Sequence, residues 1–210
     1  MTNRKKMIAS VSFLIAFLLW TVAVATVDVQ PIGPEDSRVG FAGLNQWLHQ
    51  RTGVHMGLYV LTDWLSLIPL CFVAGFGFLG LYQWISRRSF WKVDRSILVL
   101  GGFYLVTGAF FLFFEKCIIN YRPVLMDGIL EASYPSSTTM LILCVMPTAV
   151  MQLRNRIRHK GLRRLAISAM TVFTLLMVIG RVVSGVHWFT DIIGGVLLSC
   201  GLVALYAAVE

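Results

Sequence analysis

The chain has 210 residues, 57% of them hydrophobic and only 13% charged, about half the charged share usual in soluble domains. That deficit excludes a solvated globular protein and makes lipid the expected solvent, and the length leaves room for one domain, 1–210, without a large soluble appendage. The formal charge of +8 is not a nucleic-acid footprint, because the basic residues gather in three clusters between apolar runs: Arg4-Lys5-Lys6, then Arg87, Arg88, Lys92 and Arg95, then six from Arg154 to Arg164. Short basic loops on alternate sides are the positive-inside pattern of a membrane protein.

A helix needs about 18–20 apolar residues to cross the hydrocarbon core. In chain order the uncharged runs are Met7–Val27, Trp64–Ser86, Ser96–Phe114, Ala132–Leu153 and Ile192–Val209, with a shorter run Leu165–Gly180 that extends past Arg181. The second span is expected to start before Asp63, near Met56. The expectation is therefore an all-α membrane protein of six spans, with the first retained as a span because it exceeds the apolar core of a signal peptide. The basic clusters put both termini in the cytoplasm and leave 28–55, 115–134 and 181–191 outside. Phe41–Leu48 is mildly amphipathic and suits the interface, with Trp47 at headgroup level. Gly75, Gly77 and Gly80 match a dinucleotide fingerprint in letters alone; inside a span they are expected to let helices pack closely. Cys71, Cys117, Cys144 and Cys200 match no metal motif and are expected as small core residues, and no metal site is expected.

Three external pieces carry chemistry: Glu115-Lys116 with Arg122-Pro123, then Pro135-Ser136-Ser137-Thr138, then Arg181 with His187 and Asp191. At i and i+4, His187 and Asp191 are expected to share one helix face. The carboxylate then fixes the imidazole tautomer and leaves the other nitrogen free as nucleophile or base; a buried structural pair is the alternative. Arg122 and Arg181 lie at outer ends of spans, where guanidinium forks suit phosphate oxygens, although headgroup anchoring is open to either. Pro135-Ser136-Ser137 opens a span, and a helix N-terminus is an anion site as well as an ordinary cap.

Together these pieces resemble the type 2 phosphatidic acid phosphatase family, whose fold is shared with vanadium haloperoxidases. The family's motifs are Lys-x6-Arg-Pro, Pro-Ser-Gly-His and Ser-Arg-x5-His-x3-Asp, and order and spacing match over residues 115–191. The resemblance implies a six-span helical bundle needing no cofactor or metal. It implies that His187 attacks phosphorus to form a phosphohistidine and that Asp191 orients it. Arg122, Arg181, Ser136 and the backbone N–H of Ser137 would hold the phosphate. Departures are Glu115 in place of the motif Lys, with Lys116 beside it, Ser137 for Gly, Gly180 for Ser and Thr138 for the histidine that protonates the leaving oxygen.

Two functions follow as expectations. One is a cell-membrane lipid phosphatase acting on a phosphorylated lipid at the extracytoplasmic leaflet. A polyprenyl diphosphate is favoured there, because a phosphate leaving group tolerates the loss of the acid at Thr138. The other is an impaired relative that binds or transports a phosphorylated lipid. A haloperoxidase acting on a soluble substrate fits six spans poorly. No nucleic-acid partner is expected, and the sequence is silent on oligomeric state.

Overall fold

The computed structural model describes residues 2–210. Eight α-helices follow one another: α1 (Asn3–Thr26), α2 (Ala42–Thr52), α3 (Met56–Leu65), α4 (Leu67–Arg87), α5 (Arg95–Lys116), α6 (Ser137–Arg156), α7 (Lys160–Val183) and α8 (Phe189–Val209). Helices α3 and α4 are two halves of one span, Met56–Arg87, so six helical segments are long and apolar enough to cross a membrane. The break at Ser66 has a local cause. Pro69 offers no N–H to the Leu65 carbonyl and its ring crowds that oxygen, and the Ser66 N–H turns back to Thr62 and Asp63.

Helices α6 and α8 form the centre, and α1, α4, α5 and α7 pack around them. Helix α1 lies along α8: Ser10 Oγ donates to the Gly201 carbonyl at 2.8 Å, and a side chain at Gly201 would meet Leu14. Helix α2 covers the outer segment expected at the interface. It exposes Trp47 and is tied to α8 through Asn45, whose Nδ2 donates to Thr190 Oγ1 at 2.9 Å. The three basic clusters share one end of the bundle. There Lys6 Nζ donates to the Ala207 carbonyl at 2.6 Å, and Arg156 reaches Ser96 Oγ at 3.2 Å across α5 and α6.

Three expectations are corrected. The fourth span starts at Ser137 instead of Ala132, because residues 120–133 fold back as a hairpin whose strands touch at Tyr121 with Ala132 and Met126 with Ile129. Its tip is Asp127-Gly128, both with positive φ (50° and 78°), the residue pair that tight hairpin turns favour. Of the clustered glycines only Gly80 packs closely, its added Cβ falling 3.0 Å from Ile97, whereas Gly75 and Gly77 face open space. Cys144 is a core residue, Cys200 is half-buried, and Cys71 and Cys117 are exposed.

The turn between α7 and α8 carries His187 and is fixed by Gly185. Its φ is +66°, and a Cβ there would overlap the Gly53 carbonyl of the α2–α3 turn. Next to it the His55 N–H donates to the Ser184 carbonyl at 2.9 Å. Gly185→Ala combines a disfavoured φ with that overlap and should destabilise the protein by about 1–3 kcal/mol. The check is the apparent melting temperature in detergent, with Gly75→Ala as the control. Equal midpoints for the two variants would show that the turn is not anchored in this way.

Candidate active site

The site forms where the 120–133 hairpin, the start of α6, and the α7–α8 turn converge, with α3 behind them. Arg122 comes from the hairpin, its strand held by the Arg122 N–H donating to the Glu131 carbonyl at 3.0 Å. Arg181 comes from the last turn of α7. Both guanidiniums point at one atom: Arg122 Nη1 is 3.3 Å and Arg181 Nη2 3.2 Å from His187 Nε2. Arg122 is 8% exposed, Arg181 1% and His187 4%. The ring of Tyr59 lies 4.6 Å from the Arg181 guanidinium carbon and 5.7 Å from that of Arg122. Arg181 Nη1 also donates to Thr62 Oγ1 at 3.2 Å.

Charge in this pocket is unbalanced. Arg122 Nε lies 3.0 Å from Glu131 Oε2 as an ion pair, but that carboxylate is half exposed and the N–H does not point at it. Among the described residues Arg181 pairs with no carboxylate. The Nε atoms of both arginines are buried without a hydrogen-bond acceptor. Burial, then the charges of Arg122 and Arg181, hold the His187 imidazole well below its ordinary pKa, so it is neutral. An arginine N–H can only donate, which makes Nε2 the acceptor and puts the ring proton on Nδ1.

That proton meets Ser133. Nδ1 is 3.0 Å from Ser133 Oγ, and Ser133 Oγ donates in turn to Asp191 Oδ2 at 2.5 Å. Asp191 is fully enclosed and also accepts from Asn120 Nδ2 at 3.1 Å and from the Trp188 N–H at 3.0 Å. His187 therefore does not share a helix face with Asp191. It precedes α8, in which Asp191 occupies the first turn, and the two residues communicate through Ser133.

Other expected residues are sorted by a cavity of ≈ 300 Å³ beside His187 and Arg122. Glu115, Glu131, Ser133 and Ser137 give it a polar wall, and Phe110, Phe114 and Met140 an apolar one. Lys116 does not reach it; the glutamate at the motif position does. Ser136 is fully enclosed, its Oγ accepting from Thr139 at 3.1 Å and its N–H donating to the Asp191 carbonyl at 3.0 Å, so its side chain belongs to the scaffold. No side chain caps α6, which leaves its first-turn N–H groups to the site, Ser137 first. Thr138 opens on a neighbouring cavity of ≈ 430 Å³ shared with Asp63 and Ser66. Ser133, Asn120 and Tyr59 were missed from sequence. The one signal for the first two was Asp127-Gly128, whose turn folds the strands bearing them onto the site.

Residues 109–210 match the PAP2 superfamily. Phosphatidylglycerophosphatase B of Bacillus subtilis (strain 168) is 27% identical over 202 residues, 93% of this chain and 91% of the relative. The crystal structure of a transmembrane PAP2 type phosphatidylglycerolphosphate phosphatase from Bacillus subtilis matches with a TM-score of 0.59 at 19% identity, over 95% of this chain and 94% of that one. At that identity the likeness shows the fold, a bundle of membrane-spanning helices. The stretch that matches the PAP2 superfamily, residues 109–210, holds both site arginines, His187 and Asp191, so the likeness falls on the candidate site itself.

Proposed function

We propose that this integral membrane protein is a lipid phosphatase in which His187 attacks phosphorus. The observation that carries the proposal is a neutral imidazole whose acceptor nitrogen lies 3.2–3.3 Å from two buried guanidiniums that retain unpaired N–H groups. Such a pocket lacks an anion, and a phosphate group supplies both the missing charge and the missing acceptors. On its arrival the arginines turn to the phosphate oxygens and free the Nε2 lone pair. The N–P bond forms as the P–O bond to the lipid breaks, the leaving oxygen keeping that electron pair. Water then attacks the phosphohistidine, releasing phosphate and restoring Nε2. The name of the Bacillus subtilis relative supports a lipid phosphate as the substrate class, and the apolar wall of the cavity suits the start of a lipid tail.

The His187→Ala variant should lose turnover, measured as phosphate release from lipid mono- and diphosphates by the purified protein. Arg122→Ala and Arg181→Ala should each weaken binding of inorganic phosphate by about 2–4 kcal/mol. Full turnover in His187→Ala would remove the mechanism. Phosphate-sized binding without turnover in the wild type would favour a phospholipid-binding protein.

Substrate preference turns on the leaving oxygen. A monoester expels an alkoxide and needs a proton, for which an acid contributes about 10²–10⁴-fold; a lipid diphosphate expels a phosphate whose second pKa is about 6. With Thr138 where the family carries histidine, a prenyl diphosphate should be cleaved faster than a matched monoester. Glu115 and Glu131 line the cavity and are the competing source of the proton. Thr138→His should raise monoester turnover more than diphosphate turnover. A large loss of monoester turnover in Glu131→Gln or Glu115→Gln would instead identify the acid.

The site is proposed to face the extracytoplasmic side with both termini inside, on the strength of the basic clusters gathered at the opposite end. In a background lacking native cysteines, Asp127→Cys should react with an impermeant thiol reagent in intact cells and Asn155→Cys should not. The opposite labelling would invert the orientation.

A further inference from the structure

We propose that Ser133 is the positioning residue through which Asp191 acts on His187, an inference that rests on the phosphatase reading above. The geometry has one direction of donation. Both arginines donate to Nε2, so Nδ1 carries the ring proton. Asn120 and the Trp188 N–H donate to the two oxygens of Asp191, which marks that group as an acceptor on both sides. Between them stands one hydroxyl, 3.0 Å from Nδ1 and 2.5 Å from Oδ2. A serine has a single O–H to donate. Given to Asp191, it leaves the Oγ lone pairs for the Nδ1 proton, so the chain runs from Nδ1–H to Oγ and from Oγ–H to the carboxylate.

The hydroxyl is not free to turn away. Ser133 is 3% exposed, and its N–H donates to the Asn120 carbonyl at 2.9 Å across the base of the hairpin. One residue therefore fixes both ends of the relay: Asn120 holds the backbone of Ser133 and the far oxygen of Asp191. As His187 bonds to phosphorus, its ring gains positive charge while the Nδ1 proton stays in place. Ser133 presents an oxygen polarised by Asp191 to that proton. Without it the Nδ1 proton keeps only the Ser133 backbone carbonyl as a neighbouring acceptor and loses its link to Asp191, and the ring is held less firmly on the line between the arginines.

The test compares Ser133→Ala, Ser133→Thr, Asp191→Asn and the double variant Ser133→Ala/Asp191→Asn, assayed on a prenyl diphosphate and on phosphatidic acid in detergent. Ser133→Ala should lower kcat roughly 10- to 100-fold, the loss expected for a hydrogen bond in a charged chain, with KM nearly unchanged. Ser133→Thr, which keeps the hydroxyl, should recover most of it. In the alanine background Asp191→Asn should cost at least several-fold less than it does in the wild type, since Asp191 has then lost its route to the ring and only its scaffold contacts remain to be disturbed. A second readout needs no turnover. In protein labelled with ¹⁵N-histidine, and with His187→Ala for assignment, the His187 Nδ1–H should resonate downfield in the wild type and in Ser133→Thr, and move upfield or vanish by exchange in Ser133→Ala. An unchanged Nδ1–H signal, full kcat in Ser133→Ala, or multiplicative losses in the double variant would overturn the relay. If the wild type cleaves neither lipid, the phosphatase reading fails while the resonance still decides whether Ser133 holds the ring.

Discussion

Two guanidiniums buried in a membrane protein cost several kcal/mol each unless their charge and N–H groups are met. In this chain they are met only partly. Tyr59 lends its ring face to both, Thr62 takes one N–H of Arg181, and His187 Nε2 takes one from each. Glu131 pairs with Arg122 from a half-exposed position. Burial first, and then the remaining imbalance, keeps the imidazole neutral; the guanidiniums meet its lone pair and keep donors that suit a phosphate group. Three parts of the fold hold this imbalance in place, α3 through Tyr59 and Thr62, the hairpin through Arg122, and α7 through Arg181.

The second centre of organisation is Asp191. Its carboxylate takes the Trp188 N–H at the start of α8, Asn120 from one strand of the hairpin and Ser133 from the other. Its backbone carbonyl takes the Ser136 N–H at the entrance to α6. One residue thereby joins the three segments that carry the site, and its three N–H or O–H donors offset part of the cost of burying the carboxylate. Structural and chemical roles coincide there, so loss of Asp191 loosens the scaffold as well as the histidine.

The cavity next to His187 is neither wholly polar nor wholly apolar, which fits a molecule with a charged head and a hydrocarbon body. One wall has Arg122, His187 and the open N-terminus of α6, and the other has the phenylalanines of α5. Ser137 at the glycine position of the family motif lines this cavity, and Thr138 faces away into the next one. Of these two substituted positions only Ser137 therefore borders the space beside His187.

Sequence by itself determined the number of spans and the clustering of basic residues, and it singled out Arg122, Arg181, His187 and Asp191 as candidates, because apolar run length and residue chemistry are local properties. It also carried the family resemblance on motif spacing. Tertiary structure alone decided how those residues meet. The i, i+4 spacing of His187 and Asp191 implied a shared helix face, but Gly185 ends the preceding helix against Gly53 and His187 falls in the turn before α8. Ser136 looked like a phosphate ligand and is enclosed by Thr139 and Asp191; Glu115, not Lys116, reaches the cavity. Ser133 and Asn120 lie more than fifty residues from Asp191 in the chain. Only the fold of the hairpin onto the α7–α8 turn brings their polar groups within bonding distance, and burial then requires that those groups be paired.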